Sequence, residues 1–254
     1  MARKPRERSR KSKAADNNGA AAAEAGMNGE APGSYRLARM ETERGKIIEA
    51  FMDLLAEQSI EEIDFIDIAE RAGVSLAELR SEFGSRIAIL AAHIKDIDRE
   101  VLSADSTDMA EEGPRERLFD VLMRRLEAQA PYKEAIRSLL QSARRYPGLA
   151  CALNGLAMRS QRWMLAAADI PSAGPVGAAR AQGLALLYGR VLSTFIDDDE
   201  PGHPRTMAAL DRALARGQWW IGLFDRVCRL VPGCRPRPRH RPELHEDDGE
   251  PVAI

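Results

Sequence analysis

The chain has 254 residues, 44% hydrophobic and 30% charged, enough apolar material for one large domain or two small ones. A net charge of −2 excludes a global pull towards nucleic acid or anionic membrane. No run reaches the ~18 apolar residues of a transmembrane helix, and three cysteines (Cys151, Cys228, Cys234) without paired spacing exclude a disulfide framework or zinc site.

Aromatic residues are 5% of the chain, while Ala, Leu, Arg and Glu abound, a bias towards helix over sheet. The expectation is a reduced, cytoplasmic, all-α protein. Residues 1–34 read as a disordered basic tail. They hold Arg3, Lys4, Arg6, Arg8, Arg10, Lys11 and Lys13, then an Ala/Gly/Asn stretch with no apolar period, and no apolar run that would make a secretory signal. A first helix is predicted over 35–58, with Met40, Ile47, Ile48, Phe51, Leu54 and Leu55 at steps of three and four. Asp64 then caps a short helix carrying Ile68 and Ala69, supported by Asp67 in its first turn. Gly73 suits the C-terminal cap. Ser75 and Glu78 form a capping box for another short helix through Phe83. A long helix follows with Ile87, Leu90, Ile94, Ile97 and Val101 inward. Two short helices joined by a tight Gly turn behind a longer one is the plan of a helix-turn-helix unit.

Pro114 opens the next helix, with Leu118, Val121, Leu122 and Leu126 inward. Pro131 starts another carrying Ile136, Leu139 and Leu140, and Tyr146-Pro147-Gly148 separates it from one carrying Leu153, Leu156, Met158 and Trp163. Residues 170–175 form a turn. From Val176 to Ile196 the chain is apolar nearly all round, which predicts burial on most sides. Gly177, Ala181, Ala185 and Gly189 recur every four positions there, a row that admits close approach of another helix. The last helix, after Pro204, carries one stripe of Met207, Leu210, Leu214, Ile221, Phe224 and Cys228 and a second of Trp220, Leu223, Val227 and Leu230. Two stripes need two partners, the core and a second subunit. The segment 219–230 also fits an interfacial helix at a membrane. A second disordered tail, Pro/Arg then acidic, is expected over 232–254.

Ile68-Ala-Glu-Arg-Ala-Gly-Val-Ser75, followed by Leu79, Phe83, Ser85 and Leu90, resembles the DNA-binding pattern of the TetR family of bacterial transcriptional regulators. Arg44, Ile47, Ile48, Ala50 and Phe51 fit that family's first helix, so the resemblance covers about 50 residues. It implies an all-α, TetR-type fold: a helix-turn-helix DNA-binding domain over 35–90 and a helical ligand-binding and dimerisation domain over 91–231. It also implies a ligand-responsive repressor that acts on double-stranded DNA as a homodimer through its last two helices, with a small apolar effector or lipid as further partner.

Carried over position by position, the family's DNA contacts fall on Ser75, Leu76, Ala77, Arg80, Ser81 and Arg86, with Arg80 and Arg86 standing where a tyrosine and a lysine are usual. Glu78 and Glu82 share that face. Glu78 is explained by the capping box alone, although a glutamate also accepts from a cytosine amine in the major groove. Residues 41–95 hold twelve acids against six bases, a net charge of −6, and residues 3–13 hold seven bases against Glu7, a net +6. Affinity for DNA is gained by neutralising phosphates, so the two segments act in opposite directions.

A second resemblance is to the isoprenoid-lipid-binding accessory proteins of ubiquinone biosynthesis, which share the TetR-type fold without acting as repressors. It rests on Arg125-Leu-Glu-x-x-x-Pro131-Tyr-Lys, Ala179-Arg-Ala-Gln-Gly-Leu-Ala185, Asp197-Asp-Asp, Thr206-Met and Leu210-Asp211. It implies a protein of quinone biosynthesis whose helix-turn-helix is vestigial. Tyr132, Met158, Arg159, Trp163, Tyr188 and Phe195 are the candidates to line a ligand pocket, each of which also suits ordinary core; Gln161 is a further polar candidate. Asp197, Asp198, Asp199, Glu200 and His203 are metal-ligand types, but acids ahead of a helix favour its positive end and no calcium-loop spacing is present. No metal or cofactor is expected. The chain has no catalytic triad, phosphate-cradling loop or dinucleotide fingerprint, so no enzyme is expected.

Overall fold

The helix-turn-helix plan is present in the computed structural model, which describes residues 42–103 and 112–216. The two expected tails and the apolar stripes beyond residue 216 lie outside the described residues. The described regular structure is helical throughout: α1 (Glu43–Glu57), α2 (Phe65–Ala72), α3 (Leu76–Glu82), α4 (Arg86–Ser103), α5 (Pro114–Ala128), a 3-10 turn (Ala130–Tyr132), α6 (Lys133–Arg145), α7 (Pro147–Ala167) and α8 (Gly174–Phe195). Residues 204–216 are helical and are termed α9.

The first helix starts later than its apolar period predicts. Thr42 is extended, with φ −94° and ψ 147°, and its side chain accepts the Gly45 N–H, so α1 is capped there and does not run unbroken from residue 35. Ile47, Ile48, Phe51 and Leu55 are fully enclosed along it, each contributing about 1.5–3 kcal/mol by leaving water. α1 packs against α2, α3 and α4 on one side and α6 on the other. α4 passes from α1 to α5 and α7, and α7 carries α8. One cluster of buried side chains runs from Ile47 to Leu214. The boundary expected at residue 90 falls inside α4, a helix that packs on both sides of it.

Two expectations about the large helices need correction. Trp163 is not inward but 60% exposed. α7 has apolar residues on several faces, so its period does not single out the buried one, and Leu156, Ser160, Met164 and Leu165 take that place. α8 is not buried on most sides. Gly177, Ala181, Leu184, Ala185, Tyr188, Val191 and Phe195 face the core, while Ala179, Gly183 and Leu186 are exposed. Gly177 allows the closest approach, since a Cβ there would stand 2.1 Å from the Ser172 carbonyl carbon. α4 is buried on a wider arc than its stripe predicts: Ile89 and His93 join Leu90, Ile97 and Val101 because helices cover it from two sides.

Candidate nucleic-acid interface

Local chemistry sets the turn between α2 and α3. The Asp67 carboxylate accepts the Asp64 N–H at 3.0 Å and steadies the start of α2. Gly73 ends it at φ 67°, ψ 34°, a left-handed conformation that costs other residues energy, and Val74 N–H donates back to the Ala69 carbonyl. Ser75 and Glu78 then bond reciprocally: Ser75 N–H to the carboxylate at 2.7 Å, and Glu78 N–H to the hydroxyl at 3.2 Å. The Ser75 backbone N–H holds the Glu78 carboxyl below its ordinary range. Glu78 is therefore committed to the cap.

Leu79 and Phe83 are buried and fix α3 on the unit. Leu76, half exposed, and Ala77, Arg80 and Ser81 are left on the open face. Ser81 donates its hydroxyl to the Glu78 carbonyl at 2.8 Å and retains acceptor capacity. Ser75, Leu76, Ala77, Arg80 and Ser81 are thus brought together on one outer surface.

Arg86 is placed differently. Its Nη1 donates to the carbonyls of Ile60, Glu61 and Ile63 at 2.6, 3.2 and 2.8 Å, closing the turn between α1 and α2 from the first residue of α4. Other cations are used in the same way. Arg44 pairs with Glu82 at 3.3 Å and lies 4.6 Å over the Phe83 ring. Arg71 grips Glu57 with two bonds of 2.9 and 2.8 Å, which hold the Glu57 carboxyl below its ordinary range. Among the described residues, Arg80 is the exposed cation on α3 with no ion pair.

Behind this surface lies a polar core that sequence reasoning missed. The Tyr132 hydroxyl donates to Glu49 of α1 at 2.6 Å, and its ring stands edge-on to His93 of α4, centroids 4.5 Å apart. One turn further along α4, Asp98 meets Arg125 and the Ser160 hydroxyl, each at 2.7 Å. Arg125 lies 5.2 Å over the Tyr188 ring, and the Tyr188 hydroxyl donates to Gln129 at 2.5 Å. Burial pushes the Asp98 carboxyl above its ordinary range, against the opposing pull of Arg125 and Ser160. Burial likewise raises the Tyr188 phenol.

The six pocket candidates do not converge. Tyr132 and Tyr188 belong to this polar core, and Phe195 packs on His203 and under Lys133. Met158 is half-buried, while Arg159 and Trp163 point to solvent. Gln161 is buried, its amide oxygen without a hydrogen-bond partner among the described residues. An open groove of about 900 Å³ lies elsewhere among the described residues, between the start of α5 and α9, lined by Phe119, Pro204 and Met207 together with Arg115 and Asp211, which form an ion pair. In the turn before α9, Asp198 caps that helix through Thr206, N–H at 2.8 Å and hydroxyl at 2.7 Å. No group of three metal-ligating side chains occurs among the described residues, and no described helix is long and apolar enough to cross a membrane.

A capped two-helix turn with an exposed second helix, set on a larger helical body, defines an all-α helix-turn-helix protein. The fold is that of the TetR-type regulators. The chain is similar to the structure of a TetR transcriptional regulator from Nitrosomonas europaea, with a TM-score of 0.54 and 21% identity over 69% of this chain and 98% of the other. A TetR transcriptional regulator from Rhodococcus sp. gives 0.46 and 21% over 71% and 94%, and a TetR-family regulator from Streptomyces coelicolor 0.44 and 14% over 75% and 97%. No family model and no curated protein matches the chain.

Proposed function

We propose that the protein is a DNA-binding transcriptional regulator of TetR type, a ligand-responsive repressor working as a homodimer. The observation that carries this reading is the outer face of α3, where Arg80, Ser75 and Ser81 stand beside Leu76 and Ala77, all exposed among the described residues. Arg80 and Ser75 engage phosphate, while Leu76, Ala77 and Ser81 meet base edges. Arg86 shapes the unit that carries them. The open row Ala179, Gly183 and Leu186 on α8 supports pairing with a second copy through the last two helices. A small apolar effector bound in the large domain shifts the population of two arrangements of the paired units, and duplex affinity falls with it.

Arg80→Ala tests the surface. A charge-assisted phosphate bond contributes roughly 1.5–3 kcal/mol, so the variant is expected to lose at least about tenfold in duplex affinity with an unchanged melting temperature. Undiminished binding removes α3 from the interface.

One observation favours a second reading. Arg44, Arg71 and Arg86 are spent inside the unit, which suits an isoprenoid-lipid-binding accessory protein of quinone biosynthesis with a vestigial helix-turn-helix. That reading predicts a co-purifying apolar lipid, seen by mass spectrometry of an organic extract, in a protein that does not bind duplex DNA.

A further inference from the structure

The outer face of α3 has two edges. Leu79 and Phe83 hold the helix on the unit, and at ~100° per residue the exposed Arg80 and Glu82 leave it on opposite sides of that buried line. A helix seated in the major groove runs between two phosphate backbones, so under the DNA-binding reading each edge meets one of them. Arg80 gives the first edge its cation. The second edge carries the Glu82 carboxylate, which repels phosphate, and the cation beside it is Arg44 of α1.

The three arginines engaged inside the unit are not held alike. Nη1 of Arg86 reaches three carbonyls at 2.6, 3.2 and 2.8 Å, and Arg71 grips Glu57 through two bonds of 2.9 and 2.8 Å. Among the described residues Arg44 makes a single bond, 3.3 Å long, to Glu82, and the two side chains are 48% and 36% exposed. An exposed pair of this kind is screened by salt and adds little to stability, so it exchanges readily for another anion. The Phe83 ring, 4.6 Å from the guanidinium, keeps Arg44 at the edge of α3 once Glu82 is given up. Lys46 and Lys95 are also exposed but stand elsewhere. Lys46 lies about 200° from Arg44 around α1, and Lys95 about two and a half turns along α4 from Arg86.

Resting on the DNA-binding reading, we infer that Arg44 is a second phosphate-binding residue, held in reserve by Glu82. On the duplex its guanidinium exchanges the carboxylate for a phosphate of the strand opposite the one that Arg80 meets. Glu82 thereby lowers affinity for every sequence alike, because phosphate contacts carry no sequence information. Discrimination is left to Leu76, Ala77 and Ser81.

The test is a double-mutant cycle on the full chain. Native protein, Glu82→Gln, Arg44→Gln and the double variant are titrated by fluorescence anisotropy on the duplex upstream of its own gene and on a scrambled duplex, between about 50 and 200 mM salt. Each is measured at a temperature where circular dichroism shows it folded. Glu82→Gln is expected to bind both duplexes roughly two- to fivefold tighter, with their ratio unchanged. Arg44→Gln is expected to weaken both and to lose about 0.9, one phosphate contact, from the slope of log affinity against log salt. In the Arg44→Gln background the gain from Glu82→Gln vanishes. An equal gain in both backgrounds overturns the inference, because Glu82 then acts as a plain repulsive charge. Unchanged or weaker binding by Glu82→Gln overturns it too, as does a native slope in Arg44→Gln, and all of these leave the DNA-binding reading intact. Absence of binding by the native chain to either duplex removes that reading and this inference together.

Discussion

Replacing Arg125 by alanine is expected to lower stability by about 3–5 kcal/mol, because it strands the buried Asp98 carboxylate without its counter-ion. For a chain of this size that amounts to a fall of roughly 6–20 °C in melting temperature, read by circular dichroism. The loss is specific to the broken pair. Asp98 and Arg125 are enclosed together with Ser160 and the Tyr188 ring, so replacing both partners by apolar residues of similar size, Asp98→Leu with Arg125→Met, is expected to recover much of the stability. The pH dependence has a definite sign. Without Arg125, the Asp98 carboxyl in the folded state rises further above its unfolded value, so its contribution is retained at low pH and lost as pH rises. The gap in melting temperature between native chain and Arg125→Ala should therefore narrow as the solution is acidified. A gap that widens in acid contradicts the account of this cluster.

Arg86→Ala is the second large effect, and it separates structure from binding. The resemblance to the regulators gives this position to phosphate, yet its Nη1 closes the α1–α2 turn through three carbonyls. Removing it leaves partly buried carbonyl groups without their donor. Hydrogen bonds from charged donors contribute about 1.5–3 kcal/mol, and the three share one nitrogen, so a loss of roughly 2–4 kcal/mol is expected. Duplex binding should fall with the fraction folded and recover when the titration is run well below the lowered melting temperature. A variant that melts like the native chain but has lost binding returns Arg86 to the phosphate surface.

The parts of the fold that were legible in the sequence are those written in local chemistry. Asp64 and Asp67, Gly73, and Ser75 with Glu78 each act on backbone groups within four residues, so residue type and spacing suffice to read them. The residues expected on the face of α3 came from the resemblance at Ile68–Ser75 and not from these local signals. The polar core was not legible because its members meet only in the folded state: Glu49 and Tyr132 are 83 residues apart, and Arg125 is 27 from Asp98. A signal was present nonetheless. Asp98 lies between Ile97 and Val101, and Arg125 beside Leu122 and Leu126, charged residues on faces that are otherwise apolar. Trp163 and α8 went the other way for one reason. When a helix is apolar on several faces, its pattern cannot say which face the core covers.

The resemblance at Ile68–Ser75 pointed to the fold, while the choice between regulator and lipid-binding protein turns on a unit in which Arg44, Arg71 and Arg86 are engaged internally and Arg80 is left exposed. Fluorescence anisotropy of the full chain on its own upstream duplex, against a scrambled duplex at matched salt, tests the central claim most directly. The account predicts sequence-selective binding, tighter on the upstream duplex by at least tenfold, that weakens as salt rises. Equal affinity for the two duplexes, or none for either, contradicts it.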